Sequence, residues 1–249
     1  MNDMEEKKFK KIFGISRDDV GEVLLISPFF HVKLLASELK QKTFFKGMIF
    51  HGLNGFYKNK KVTFVNTGMG QTLVADCVLA QRPEKIKAVI FLGAVGAVKD
   101  LDIADIVVIS EALFDTQYHS QFGINFKEGE QNKFYPDMQL LQCGLRIAGE
   151  KKYNLKQANV ISIHSLWDQP EQRAKELAKN GVQSVDLECA LFYAAAREKK
   201  IRSIAFCFVS DNIVSRPFWG KFSMEERLKM KNKASEAVSL GLELGLKLM

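Results

Sequence analysis

Val185-Asp186-Leu187-Glu188-Cys189-Ala190 opens an acidic helix start that runs on through Arg197, and Ile201 to Phe208 follows as an apolar strand ending in Val209-Ser210-Asp211-Asn212. In an open α/β sheet, ligands sit outside the carboxyl ends of strands and near helix N-termini. On that geometry Glu188 and Asp211 face one cleft. Each residue also has an ordinary reading. An acid at a helix start complements the macrodipole for about 0.3–1 kcal/mol, and an Asp after a strand is a common cap or turn residue. It is their joint spacing, with the segments upstream, that favours a site.

Outward from this stretch, strand and helix keep alternating. Val23 to Ser27 reads as a first buried strand and His31 to Lys40 as a helix. Gly47 to His51 and Lys61 to Asn66 read as paired strands around the Gly55 to Lys60 turn. Ala88 to Leu92 is a continuous apolar strand, suited to a sheet centre covered on both faces. Ile106 to Ser110 and Val160 to Ile163 are further strands. Apolar spacing predicts helices over Thr72 to Gln81, Met138 to Ala148, Glu171 to Lys179, Leu187 to Lys199 and Met224 to Leu248. This alternation favours right-handed crossovers. The expected fold is α/β, a single-domain three-layer α/β/α sandwich with a central mixed sheet. No linker or repeat divides residues 1–249, and residues 1–20 read as a peripheral N-terminal extension. The Phe114 to Tyr135 segment has no clear period, and such a loop is often functional or packs on a partner subunit.

Composition narrows the class. At 249 residues with 47% hydrophobic content, the chain can build one large core. No apolar run reaches the roughly 18–20 residues that span a bilayer. The charged start, Met1 to Lys11, leads into no signal-peptide apolar region, so a cytoplasmic protein is expected. Cys77, Cys143, Cys189 and Cys207 are scattered, as are His31, His51, His119 and His164, so neither a disulfide framework nor a metal site is expected. The net charge of +7 arises from lysine runs read as solvated surface, not as a nucleic-acid face.

Two glycine segments follow strands, Gly68-Met69-Gly70 and Gly93-Ala94-Val95-Gly96. Glycine lets backbone approach a ligand, and helix-start N–H groups bind polar groups. Neither is a dinucleotide fingerprint or a P-loop, and simple turns explain either one alone.

Taken in order, the motifs resemble the superfamily of purine and uridine nucleoside phosphorylases and methylthioadenosine/S-adenosylhomocysteine nucleosidases, from about Val23 to the C-terminal helix. Thr67-Gly68-Met69-Gly70 is similar to its Gly-Met-Gly segment, Phe91 to Val98 to its Gly-Ser-Ala-Gly loop, and Val107 to Ala112 with Gln121-Phe122-Gly123 to a nucleosidase strand and loop. Asp186-Leu187-Glu188 stands at its Glu-Met-Glu helix start, and Ser210-Asp211 at its Ser-Asp. The resemblance implies a nucleoside phosphorylase-like fold, no cofactor, a small-molecule nucleoside partner, and a homodimer or higher homo-oligomer.

The chain also departs from that pattern. Bacterial phosphorylases carry Gly-Asp-Pro-x-Arg after the first strand, where Ile26-Ser27-Pro28-Phe29-Phe30-His31 stands here. Phe30 takes the arginine position, Phe91 a second arginine position and Ala94 a serine position. Burying phosphate among such groups costs several kcal/mol. The nucleosidases' water-activating glutamate is also absent. His31 is the nearby titratable group, to be read either as a base near pH 7 or, preferably, as a cap of the first helix.

The resemblance implies roles residue by residue. Asp211 assists departure of the base at N7, with Ser210 beside it. Glu188 accepts the ribose hydroxyls, Met69 and Leu187 pack on the sugar, and Gly93 and Ala94 line the site. Trp167 stacks on the base. Phe30 and Phe91 wall the anomeric carbon, and with Phe29 they suit an apolar substituent on ribose carbon five, with Phe114 to Phe126 completing that pocket across a dimer interface. The expected reaction is cleavage of a purine nucleoside's N-glycosidic bond, by hydrolysis in preference to phosphorolysis. The alternatives are a phosphorylase with a rebuilt phosphate site and a catalytically weak nucleoside-binding relative.

Overall fold

The computed structural model describes residues 3–115, 132–167 and 171–248. Among the described residues, ten strands form one mixed sheet: β1 (Val23–Ser27), β2 (Lys40–Lys46), β3 (His51–Tyr57), β4 (Lys60–Asn66), β5 (Ala88–Ala97), β6 (Ile106–Phe114), β7 (Lys133–Phe134), β8 (Leu155–Ser162), β9 (Ser184–Asp186) and β10 (Ser203–Asn212). Seven helices cover it: α1 (Asp3–Phe13), α2 (Val32–Ala36), α3 (Gln71–Leu79), α4 (Met138–Glu150), α5 (Glu171–Lys179), α6 (Cys189–Glu198) and α7 (Met224–Leu248).

Strand alternation sorts the core into two layers. In β1, Leu24 and Ile26 face α1, α3 and α6, while Val23 and Leu25 face α2, α4 and α7. The same alternation in β5 sends Phe91 to the first layer and Ile90 and Leu92 to the second. β1 pairs in parallel with β4 and β5, and β5 with β10, whereas β3 lies antiparallel between β2 and β4. This is the expected mixed sheet between helical layers.

One topological feature goes beyond that expectation. β5 pairs with both β10 and β9, and β10, β6, β8 and β9 follow one another, so five strands close into a ring. The buried hydroxyl of Tyr193 on α6 ties it together, donating to the Ile109 carbonyl at 2.8 Å and accepting from Ala205 N–H at 3.0 Å.

Several elements differ from their sequence reading. The helix expected over His31 to Lys40 stops at Ala36, and Lys40 already begins strand β2. Gly47 to Phe50 is not strand, because the N–H groups of Met48, Ile49 and Phe50 bond to the Lys11 and Ile12 carbonyls at the end of α1. The N-terminal segment packs on the core. It forms α1 and buries Phe9 and Phe13, whose rings stack 4.1 Å apart. The Gly93 to Ala97 stretch continues β5 instead of forming a loop. The two- and three-residue strands β7 and β9 are too short to carry a period. Among the described residues no helix is long and apolar enough to cross a membrane, and no cluster of His, Cys, Asp and Glu has metal-holding geometry.

Candidate active site

The carboxyl ends of β1, β4, β5 and β10 converge on one side of the sheet. Gly96 near the end of β5 pairs with Val185 of β9 on one side and Asp211 of β10 on the other. The Glu188 helix start and Asp211 therefore flank a single strand end.

At the helix start the two acids divide their work. Asp186 is the structural one: its carboxylate accepts from Cys189 N–H at 2.7 Å and from the Ser162 hydroxyl at 2.5 Å. Ser162 Oγ in turn accepts from Ala190 N–H at 2.9 Å. Asp186 thus caps α6, and Ser162, absent from the sequence reading, braces it. Glu188 occupies the N-cap position but makes no cap bond with its side chain. It turns across to the first glycine segment, where Gly70 N–H donates to Oε1 at 2.8 Å. Burial, reinforced by the negative charge of Asp186, pushes the Glu188 carboxyl up to about 8. Burial likewise raises Asp186.

Asp211 lies within β10, just past a bulge at Ser210. It is 4% exposed, and burial lifts its carboxyl above the usual range against opposing hydrogen bonds from Ser210 and the Phe218 N–H. The Ser210 hydroxyl lies 2.5 Å from Asp211 Oδ1 and 3.3 Å from the Val95 carbonyl. Glycine at position 96 leaves room for this arrangement. A Cβ there would stand 2.8 Å from Ile213 Cγ2 and 3.4 Å from Asp211 Oδ1.

Two cavities adjoin these acids. One of about 290 Å³ is lined by Met69, Gly70, Gln71, His164 and Leu187. The other, of about 500 Å³, has Phe29, Phe30, Phe208, Phe218 and Ser210 among its walls, with His31 and Arg227. Phe30 and Phe208 stack at 6.0 Å, and Phe208 pairs with Ala94 in the sheet, so an apolar wall does stand at this strand end.

Phe91 is not part of that wall. Strand alternation puts it on the opposite face from Ala94, fully buried against Phe192 at 5.4 Å. Its ring covers Gly93, where a Cβ would meet Phe91 Cε1 at 2.3 Å; Gly93 is thus a packing residue inside the strand. Trp167 is 95% exposed on a turn and packs on neither carboxylate. His31 caps α2, its Nδ1 accepting from Lys33 N–H at 3.2 Å, and sits at the rim of the aromatic cavity. Gln121-Phe122-Gly123 and most of the Phe114 to Phe126 segment lie outside the described residues. Sequence reasoning missed Ser162, Gln71, Phe208 and Phe218. Only Phe208 carried a signal, standing three residues before Asp211 in an apolar strand.

The model of one protein family, the phosphorylase superfamily, matches residues 23–240. The chain belongs to the phosphorylase superfamily. Both carboxylates, both glycine segments and the aromatic wall fall inside the matched span. Among curated members of this superfamily, the chain is 28% identical over 206 residues to a DeoD-type purine nucleoside phosphorylase of Photorhabdus laumondii, covering 79% of this chain and 81% of that one. It is 26% identical over 194 residues to the Buchnera aphidicola enzyme of the same name, covering 76% and 77%. Solved structures agree in fold. Uridine phosphorylase from Vibrio fischeri superposes with a TM-score of 0.81 at 16% identity, over 94% of each chain. The 5'-methylthioadenosine/S-adenosyl homocysteine nucleosidase of Campylobacter jejuni gives 0.76 at 15% identity, over 91% of this chain and 99% of that one. These relatives are enzymes, nucleoside phosphorylases and nucleosidases, and the chain is an enzyme of their superfamily.

Proposed function

We propose that this enzyme cleaves the N-glycosidic bond of a purine nucleoside and that water, not phosphate, is the acceptor. The observation that carries the reading is the pair of buried acids flanking the end of β5, Asp211 and Glu188, both raised above ordinary carboxylate values by burial. In the reaction the C1′–N9 electron pair leaves with the base while the sugar becomes oxocarbenium-like. Protonated Asp211 gives its proton to N7, so the purine departs neutral. Such assistance contributes on the order of 10²–10⁴ in rate. Glu188 keeps one oxygen on Gly70 N–H and presents the other to the ribose diol. Water adds to C1′ and releases a proton, restoring the acid.

The apolar wall of Phe30, Phe208 and Ala94 supports water as acceptor, because a phosphate dianion there would lose hydration without gaining charge-assisted partners. The same wall suits a hydrophobic substituent on ribose carbon five, such as a thioether. Phosphorolysis is the second reading, supported by the names of the DeoD-type relatives and by Arg227, which lines the aromatic cavity beside Ser210. The other arginine of this segment, Arg216, is engaged with Glu226 at 2.5 Å.

A base-release assay with and without phosphate separates the two. Phosphate-independent release with free sugar as product is expected. Strict phosphate dependence with a sugar-1-phosphate product reverses the order, and binding without turnover marks a catalytically weak relative. We further infer a cytoplasmic homo-oligomer. The exposed Phe44, Met48 and Ile49 support self-association, which sedimentation of the purified chain tests: a monomer at micromolar concentration rejects it.

A further inference from the structure

Gln71 opens α3 and is 6% exposed, lining the cavity shared by Met69, Gly70, His164 and Leu187. Its Nε2 donates to the Ile163 carbonyl at 3.2 Å and lies 3.4 Å from His164 Nδ1. A carbonyl only accepts, so Ile163 fixes which end of the amide faces it. Oε1 is held in the other direction, and among the described residues no donor reaches it. A buried amide oxygen left without a donor is costly, and folded chains keep one where a ligand or an ordered water completes it. The neighbouring residue, Gly70, holds the Glu188 carboxylate. Met69 and Leu187, assigned above to the sugar, are walls of the same cavity.

We propose that Gln71 is a specificity-determining residue whose Oε1 accepts a hydrogen bond from one hydroxyl of the ribose diol, so that the enzyme selects ribonucleosides over their deoxy counterparts. The inference rests on the nucleoside-cleaving reading above. The sugar is favoured over the base as donor because Glu188 brings the diol to the Gly70 end of α3, whereas Asp211 holds the base across β5. Gln71 and Glu188 then share the diol, each receiving one O–H, and no bond is made or broken by Gln71.

The test compares wild type with Gln71→Met, which keeps the side-chain volume and removes the acceptor. Base release and calorimetric binding are measured with adenosine, 2′-deoxyadenosine and 3′-deoxyadenosine. Glu188 is common to both proteins, so the change in the ribo-to-deoxy ratio isolates Gln71. That ratio is expected to fall about threefold to tenfold for one deoxynucleoside, the value of a neutral hydrogen bond. Unaltered ratios in a protein that still cleaves adenosine overturn the Gln71 assignment alone. Absence of both binding and cleavage in wild type overturns the proposed function and this inference with it. If Gln71→Met fails to fold, wild type crystallised with adenosine decides instead: Oε1 within hydrogen-bond distance of a ribose hydroxyl supports the contact, and Oε1 out of reach of both hydroxyls refutes it.

Discussion

At the scale of single residues, Asp186, Glu188 and Asp211 show how burial assigns jobs to chemically similar groups. Asp186 is held by N–H and O–H donors and serves the helix. Burial raises all three carboxyls and favours their protonated forms, but Asp211 and Glu188 are held by fewer donors. Asp211→Asn keeps shape and hydrogen bonding but has no acidic proton to give. Base release is expected to fall by on the order of 10²–10⁴ with nucleoside affinity largely retained; undiminished turnover would reduce Asp211 to a turn residue. Glu188 makes a pH prediction. Its folded pKa of about 8 lies above the ordinary value of 4.5. Between these values the folded state binds more protons than the unfolded one, so stability falls as pH rises through that window. Glu188→Gln removes this contribution, and its melting temperature is expected to decline less than that of wild type as pH rises across the same window. Parallel melting curves would show that Glu188 is not perturbed by burial.

At the scale of elements, β5 is the member on which the site is hung. It carries Phe91 into one core layer, Ala94 to the apolar wall and Gly96 beneath Asp211. Gly96→Ala drives a methyl into Ile213 and against the Asp211 carboxylate, costing about 1–3 kcal/mol and lowering activity together with stability in denaturant titrations. A variant as active and as stable as wild type would mean that β10 yields freely at its bulge. Helix α1 offers a contrasting case far from the acids. Phe13 is 1% exposed and packs on Phe9 and Phe50. Phe13→Ala is expected to cost about 3–5 kcal/mol with kcat/KM unchanged while the protein remains folded. A loss of only about 0.5 kcal/mol, the scale of a surface change, would return α1 to the role of a loose extension.

At the scale of the whole molecule, the sequence by itself determined the class of fold. Apolar runs such as Ala88 to Leu92, and helical periods such as Met138 to Ala148 and Met224 to Leu248, are local signals set by side-chain spacing. They survive folding because each segment buries the face its own period defines. It also put Glu188 at a helix start and Asp211 at a strand end, but β9, which leads into Glu188, runs antiparallel to β5, so the pairing of Gly96 with both Val185 and Asp211 sets the two acids on either side of one strand. Only the tertiary structure decided the rest. The ring through β5, β10, β6, β8 and β9 depends on pairings between strands distant in the chain, which no local period encodes. Phe91 and Phe30 look alike in sequence, yet strand alternation buries one against Phe192 while a stacked Phe208 brings the other to the cleft. Trp167 matched an aromatic position in sequence but stands on an exposed turn. Asp186 and Glu188 could be told apart only once Ser162 had reached the first and Gly70 the second, from 24 and 118 residues away along the chain. Burial and long-range hydrogen bonding are properties of the assembled molecule, and they are what turns a pair of acids into a cap and a site.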